Sequence, residues 1–499
     1  MSYRNLFLVF AAAKIGLHLA TATEYGYFRD ELYYLACSEH LDLGYVDHPS
    51  LSILVLRASR ALLGDSLPAI RIVPALAGAL TLALVGLMTR ELGGGRYACV
   101  LALTAALVAP AYLSVSQFYS MNAFDVTAWA LVAFLIIRMA RREERLWPLV
   151  GLALALGLAN KISILWLGAG LTVGVAATRE RRWLLTSGPW LAAGVALAGL
   201  APYLVWQTLH GWPTLEFMQI ATTEKMRDVA PLEFLIGQIE MMHPLTAPLW
   251  ISGLLFYLLA PSGRPFRMLG FVYLSVFAIL MSAGTSRSGY LAPAYTWLLP
   301  AGGVVFESWL SSRWVRASLV LALILGGAVL APFTIPLLPV STYVRYARAL
   351  GQEPSTEERK ELGALSQHYA DMHGWEDIVR KVARVWASLP EDERADVGIL
   401  APDYGIAGAI NLFGEDVGLP KSSSGHNNYW FWGPTGGNVW IVIGGSEAGL
   451  RARFDQVTRL LDALDCGYCM PYESQRSVWI CRGMKTSLED FWRGVRHFD

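Results

Sequence analysis

Over its first two-thirds the chain alternates long apolar runs with short polar breaks. Leu-, Ala-, Val- and Gly-rich stretches recur at 4–22, 67–89, 97–114, 122–138, 146–159, 162–178, 184–207, 235–259, 268–283, 291–308 and 316–337. Runs of this length with few charges predict helices that cross a bilayer. Basic residues mark alternate breaks: Arg90/Arg96, the group Arg138, Arg141, Arg142 and Arg145, then Arg179/Arg181/Arg182, Arg264/Arg267 and Arg313/Arg316. Placing these in the cytoplasm predicts an N-terminus inside, about eleven spans, and the remaining chain outside. The first run lacks a signal-peptide cleavage pattern and reads as a retained helix. The runs at 146–159 and 162–178 are short and meet at Asn160-Lys161, a turn expected in a recess of the outer side.

The polar breaks differ by side. The long connection 23–66 carries Asp30, Glu31, Glu39, Asp42 and Asp47; the break 114–125 ends in Asp125; loops 208–234 and 285–290 complete the same outer face. Within the first of them, 49–63 sets Arg57 and Arg60 against Leu51, Leu54 and Leu56, the pattern of a helix lying in the interface. Trp206, Trp212 and Pro213 suit interfacial anchoring.

Past about Pro339 the pattern becomes that of a soluble domain. Segments 343–350 and 366–388 have helical periodicity. Segments 397–401, 439–444 and 478–481 read as short buried strands, with helices at 405–413, 448–464 and 487–495 around them. The expected architecture is therefore a polytopic α-helical membrane domain, residues 1–338, followed by a small extracytoplasmic α/β domain, residues 339–499.

Composition narrows the function classes. The chain is 54% hydrophobic and only 16% charged, with a mean hydropathy of +0.40, far from soluble proteins, in which charge is near a quarter. A formal net charge of zero argues against nucleic acid as a partner. Of the five cysteines, Cys37 and Cys99 read as packing residues, while Cys466, Cys469 and Cys481 cluster late in the chain. The pair Cys466-Gly-Tyr-Cys469 has no second half-site, so no zinc site is expected. A disulfide from Cys481 to one of that pair is the expectation for a domain outside the cytoplasm.

Carboxylates beside a bilayer are costly unless they work at its surface or line a watery cavity. Asp30 and Glu31 are adjacent, so on a helix they face different ways, one free to act as a base while its neighbour bonds the loop. An acidic loop that is merely solvated is the ordinary alternative. Asp47 precedes His48-Pro49 and suits a helix cap as well as a site, while His48 suits a phosphate contact or a plain surface. Asp125 lies near the start of a helix, where the dipole favours a carboxylate. Lys161, between two apolar runs, calls for an anionic partner. With Arg287 and Tyr290 on the same face, acids, cations and aromatics together suit a lipid-linked anionic substrate.

The stretches DELYYLACSEHLDLGYVDHPSL, SMNAFD, LANK, WQTLHGWPTLEF, GYLAPAY and GLPKSSSGHNNYWFWGP together resemble the bacterial family 39 glycosyltransferases. These belong to the GT-C superfamily, with the protein O-mannosyltransferases and the lipid A aminoarabinose transferase. The resemblance spans essentially the whole chain. It implies transfer of a hexosyl or pentosyl group from a polyprenyl-phosphate donor to an extracytoplasmic lipid, glycan or protein, with inversion, by a multi-pass enzyme of the inner (plasma) membrane. By position it makes Asp30 the general base and Glu31 its support. Lys161 and Arg287 would hold the leaving phosphate, Asp125 would orient a sugar, and Tyr290 would line the substrate site. Asp47-His48 fall where related enzymes place an acid and a base before Pro-Pro; here the second proline is Ser50. No cofactor is implied; a divalent cation is compatible with the acidic loop but not required. The alternative from another class is a lipid-linked-sugar flippase, for which paired halves with Gly/Pro-broken helices would be the sign; no such pairing stands out.

Overall fold

The computed structural model describes residues 2–141 and 144–499; Arg142 of the basic group at 138–145 lies outside the described residues. Helices form at every one of the apolar runs, but not all as single spans. Among the described residues five are long and apolar enough to cross a membrane: Leu67–Glu91, Met121–Arg141, Ser187–Leu209, Arg264–Ser282 and Arg313–Phe333. The expected single helix at 235–259 is instead a pair, Pro231–Met241 and Pro244–Leu259, bent by 94°. His243 at the break has φ 73°, a left-handed conformation that ends a helix, and Pro244 restarts the chain as a 3-10 turn. The expected span 97–114 likewise divides, into Arg96–Val108 and Pro110–Val115, because proline cannot supply the interior N–H. Trp147–Asn160 and Ile164–Ala177 are 14 residues each.

Contacts divide the chain into two units. The first comprises Met1–Glu24, His48–Trp206 and Asp228–Pro339. Small residues set its helix packing. A Cβ on Gly253 would collide with the Leu298 carbonyl and one on Gly302 with the Leu249 carbonyl, so the Ala247–Leu259 and Tyr295–Trp309 helices meet backbone to backbone. Around this contact Trp129 and Trp297 stack, centroids 6.3 Å apart, and the Tyr257 hydroxyl donates to the Trp297 carbonyl at 2.9 Å. Two buried basic side chains donate to backbone carbonyls, Lys14 to Tyr112 at 2.7 Å and Arg71 to Ala22 at 2.6 Å. The 51–63 helix buries Ile53 and Leu56 and exposes Leu54, Leu62 and Leu63.

The second unit comprises Tyr25–Asp47, Gln207–Arg227 and Val340–Asp499. The acidic stretch and the 207–227 loop thus share a compact unit with the C-terminal segment, whereas the apolar pattern grouped them with the spans. Its five-stranded sheet has the order β2-β1-β3-β5-β4, formed by β1 (Val397–Ala401), β2 (Ser423–Ser424), β3 (Val439–Ile443), β4 (Phe454–Leu461) and β5 (Val478–Met484). β1 is parallel to β2 and β3, and β5 is antiparallel to β3 and β4. The three expected strands are present. The expected 448–464 helix is not: it stops at Arg453 and the chain continues as β4. Exposed polar positions along this edge strand hide its register from a pattern reading. The 366–388 helix is broken by Gly374, φ 90°, into Gln367–Ala370 and Trp375–Ala387.

The cysteine expectation is also corrected. Cys466 and Cys469 are bonded to each other, and Cys481 is a free thiol buried on β5. Its position in the paired centre of the sheet, Val457 opposite on one side and Trp440 on the other, directs it into the core.

Candidate functional site

The candidate residues fall into two sets, one in each unit. In the second unit Asp30 and Glu31 open the Arg29–Glu39 helix. Glu31 is fully buried and its carboxylate accepts from the Phe28 N–H at 2.9 Å, closing the first turn. Asp30, half-buried, accepts from the Tyr404 hydroxyl at 2.9 Å. The adjacent acids therefore do have separate surroundings, as their helical spacing requires.

Asp47 lies at the other end of the stretch, also half-buried, and accepts from the Tyr33 hydroxyl at 3.1 Å. Tyr33 and Tyr404 are stacked, centroids 4.6 Å apart, so two neighbouring rings carry the hydroxyls that meet Asp30 and Asp47. Asn428 ties this end down: its side-chain oxygen lies 3.0 Å from the Tyr33 hydroxyl and accepts from the Val46 N–H at 2.7 Å. Thr214 donates to the Val46 carbonyl and is itself bonded to Gln207. All three separate stretches of the unit thus fix the backbone just before Asp47.

Beneath Asp30 is a buried charged cluster. The Arg29 guanidinium bonds the Tyr472 hydroxyl and lies 5.3 Å from the Tyr404 ring centroid, and the Arg29 N–H donates to the Asp371 carbonyl at 2.9 Å. Asp371, Asp403 and Glu473 are all buried. Asp403 Oδ1 caps the Tyr404–Phe413 helix, holding Tyr404 at its first position. Burial, then the charges of Asp30 and Glu358, push the Asp371 carboxyl up to about 6 against the pull of Arg29. Burial, followed by Asp371 and Asp403, holds Glu473 well above the usual carboxylate range. His426, stacked on Tyr404 at 4.5 Å, is lowered to about 4 by burial and stays neutral.

In the first unit the Asn160-Lys161 turn meets the start of the Met121–Arg141 helix. Lys161 Nζ lies 3.7 Å from Asp125 Oδ2 and 2.8 Å from Asn122 Oδ1. Asp125 also accepts from Ser163 at 2.9 Å and from the Trp129 indole at 3.1 Å. It sits past the first helical turn, so these partners hold it rather than the helix dipole. Tyr290 completes the set, its ring centroid 5.5 Å from Lys161 Nζ. Arg287 is the N-cap of the Ser288–Ala294 segment that carries Tyr290. His48 is wholly buried, with Nδ1 2.8 Å from the Pro49 carbonyl.

A sequence reading misses Tyr33, Tyr404, Asn428, Asn122 and Ser163. Asn122 and Ser163 have a local signal, being three residues before Asp125 and two after Lys161. Tyr33 and Asn428 lie within the stretches DELYYLACSEHLDLGYVDHPSL and GLPKSSSGHNNYWFWGP that carry the family resemblance but are not singled out there, and Tyr404, 374 residues from Asp30, has no signal.

His426, His497 and Asp499 bring three metal-competent groups within 4.8 Å of one another. The ring of His426 is already engaged at both nitrogens, Nε2 with the Asp499 carbonyl at 2.9 Å and Nδ1 with the Tyr404 N–H at 3.3 Å. A lone pair on Nε2 would require a proton on Nδ1 facing that N–H. The residues do not fit a metal.

Comparisons with known proteins agree with this architecture. The sequence model of the dolichyl-phosphate-mannose-protein mannosyltransferase family matches residues 47–206. No curated protein matches. The crystal structure of ArnT from Cupriavidus metallidurans bound to undecaprenyl phosphate is 14% identical, with a TM-score of 0.63 over 96% of this chain and 98% of that one. The same protein in its apo state gives a TM-score of 0.62. The Archaeoglobus fulgidus oligosaccharyltransferase tethered with an acceptor peptide is 13% identical, with a TM-score of 0.52 over 82% of this chain and 63% of that one. The chain thus shares the fold of the ArnT structures, a largely helical unit with several apolar helices and a small C-terminal sheet domain.

Proposed function

We propose that this protein is a membrane glycosyltransferase of the GT-C type. It moves a sugar from a polyprenyl-phosphate donor to an acceptor outside the cytoplasmic membrane, with inversion at the anomeric carbon. The observation that carries the reading is Asp30, a half-buried carboxylate held by a tyrosine hydroxyl with no cation bonded to it among the described contacts. A carboxylate so placed keeps lone pairs to take the acceptor's proton as the new bond to C1 forms. Lys161, kept in place by Asp125 and Asn122, is the group to neutralise a phosphate, whose growing charge on departure is the other main barrier. Tyr290 and Arg287 belong to that phosphate-binding set, and Glu31 supports Asp30 by closing its helix. Phosphate is a competent leaving group, so the chemistry requires no cofactor. Undecaprenyl phosphate bound to ArnT and the peptide tethered to the archaeal enzyme support a polyprenyl-phosphate donor and a glycan, lipid or protein acceptor.

The test is sugar transfer from a panel of radiolabelled polyprenyl-phosphate sugars, in membranes containing wild type or Asp30→Asn. Transfer by wild type that drops about 10²- to 10⁴-fold in the variant, with donor still bound, supports the base. Undiminished transfer by the variant moves the base to another acid. Donor binding and translocation with no transfer by either protein means a flippase.

A further inference from the structure

A base is only as effective as its placement, and the placement of Asp30 comes from one group far along the chain. The Tyr404 hydroxyl is 2.9 Å from Asp30 Oδ1 across 374 residues of sequence. Tyr404 is itself fixed on every side. Its ring is sandwiched between Tyr33, at 4.6 Å and 25° between planes, and His426, at 4.5 Å and 29°. Its N–H points at His426 Nδ1, and the preceding residue, Asp403, caps the helix that Tyr404 begins. Only 5% of Tyr404 is exposed.

We infer that Tyr404 is the positioning residue for Asp30, aiming one carboxylate oxygen by its hydroxyl and leaving the other for the acceptor. The inference rests on the reading of Asp30 as the base. Three observations converge on it. The hydroxyl is kept as a donor, since burial raises the phenol well above its ordinary range. Asp30 lies in the first helical turn, where only its neighbours' packing and this bond define its rotamer. The stacked partner ring, Tyr33, treats Asp47 in the same way, so two acids in one unit are aligned by one pair of rings. The C-terminal segment thereby has a defined part in the reaction: it supplies the ring stack and the hydroxyl that aim the base.

Tyr404→Phe removes the hydroxyl and keeps both stacks. Its kcat should fall about 10- to 100-fold, the scale of a small misplacement of a reacting group, while the donor KM stays within about twofold of wild type. Tyr404→Phe should add no further loss in an Asp30→Asn background. Asp30→Glu, which carries the carboxylate one methylene away from the Tyr404 hydroxyl, should show the same drop in kcat at unchanged KM. Tyr429→Phe, a buried tyrosine of the same unit bonded to Asn411, should keep its kcat. Wild-type kcat in Tyr404→Phe or in Asp30→Glu, with Asp30→Asn inactive, would overturn the inference and leave the base reading intact. Equal losses in Tyr404→Phe and Tyr429→Phe would also overturn it, reducing the effect to stability. Full activity of Asp30→Asn would remove the base reading itself.

Discussion

Asp125 and Asp30 are both acids near polar connections of an apolar chain, yet they are held in opposite ways. Asp125 is 4% exposed and faces a lysine, an indole N–H and a serine hydroxyl. Its charge is answered and its oxygens are occupied. Asp30 is half-buried and meets one phenol hydroxyl, while the nearby Arg29 is engaged with Tyr472. The first arrangement suits holding a cation in place; the second suits accepting a proton. Identical side chains are thus given different surroundings by their partners, and the proposed difference in role rests on that difference.

The largest expected effect follows directly: Asp30→Asn lowers kcat about 10²- to 10⁴-fold with little change in melting temperature. Lys161→Met should lower transfer as well, since it removes the proposed phosphate-binding group, and unlike Asp30→Asn it should also destabilise the first unit. It strands the Asp125 charge in a buried site and costs about 3–5 kcal/mol of stability, read as a lower thermal midpoint in detergent. The double variant Asp125→Asn/Lys161→Met should recover most of that loss. Failure to recover would mean that Lys161 contributes to stability through something other than the ion pair.

The second unit should show its own pH signature. Asp371 has a folded value raised to about 6, so its contribution to stability is full in acid and falls as pH rises from about 4 to about 6. His426 is lowered to about 4, so its neutral burial stabilises at neutral pH and is lost as pH falls through the same window. The two slopes oppose each other. His426→Gln should therefore make the unit lose stability more steeply than wild type between pH 4 and 6, and Asp371→Asn should do the opposite, both measurable by urea unfolding at stepped pH. The smallest effect is expected from Cys466→Ser. The disulfide closes a loop of sequence separation 3, so its loss costs about 2 kcal/mol and should leave transfer kinetics unaltered.

The helices of the first unit were legible because long apolar runs are a strong, local signal, although several of those runs are shorter or broken helices. The Asp125–Lys161 partnership was half legible: a lysine between apolar runs demands an anion, though the serine and indole that share Asp125 were not foreseen. The bend at His243 had one signal, Pro244 inside the apolar run, while the positive φ of His243 itself leaves no mark in the pattern. In the second unit, buried strands such as Val439–Ile443 declare themselves by β-branched density, whereas the edge strand Phe454–Leu461 passes for the end of a helix. The setting of Asp30 was not legible at all, because local pattern carries no information about a partner such as Tyr404.

That separation has a consequence for how the protein is made. The Arg29–Glu39 helix is among the first segments synthesised, and its bonded partner Tyr404 follows 374 residues later. At roughly 5–20 residues per second, the acidic stretch waits about 20–75 s for that partner. Glu31 has its Phe28 N–H partner from the start, but throughout that interval Arg29 and Asp30 lack Tyr472 and Tyr404. A ribosome that stalls after the helices of the first unit and before Tyr404 would leave the proposed base present but unaimed.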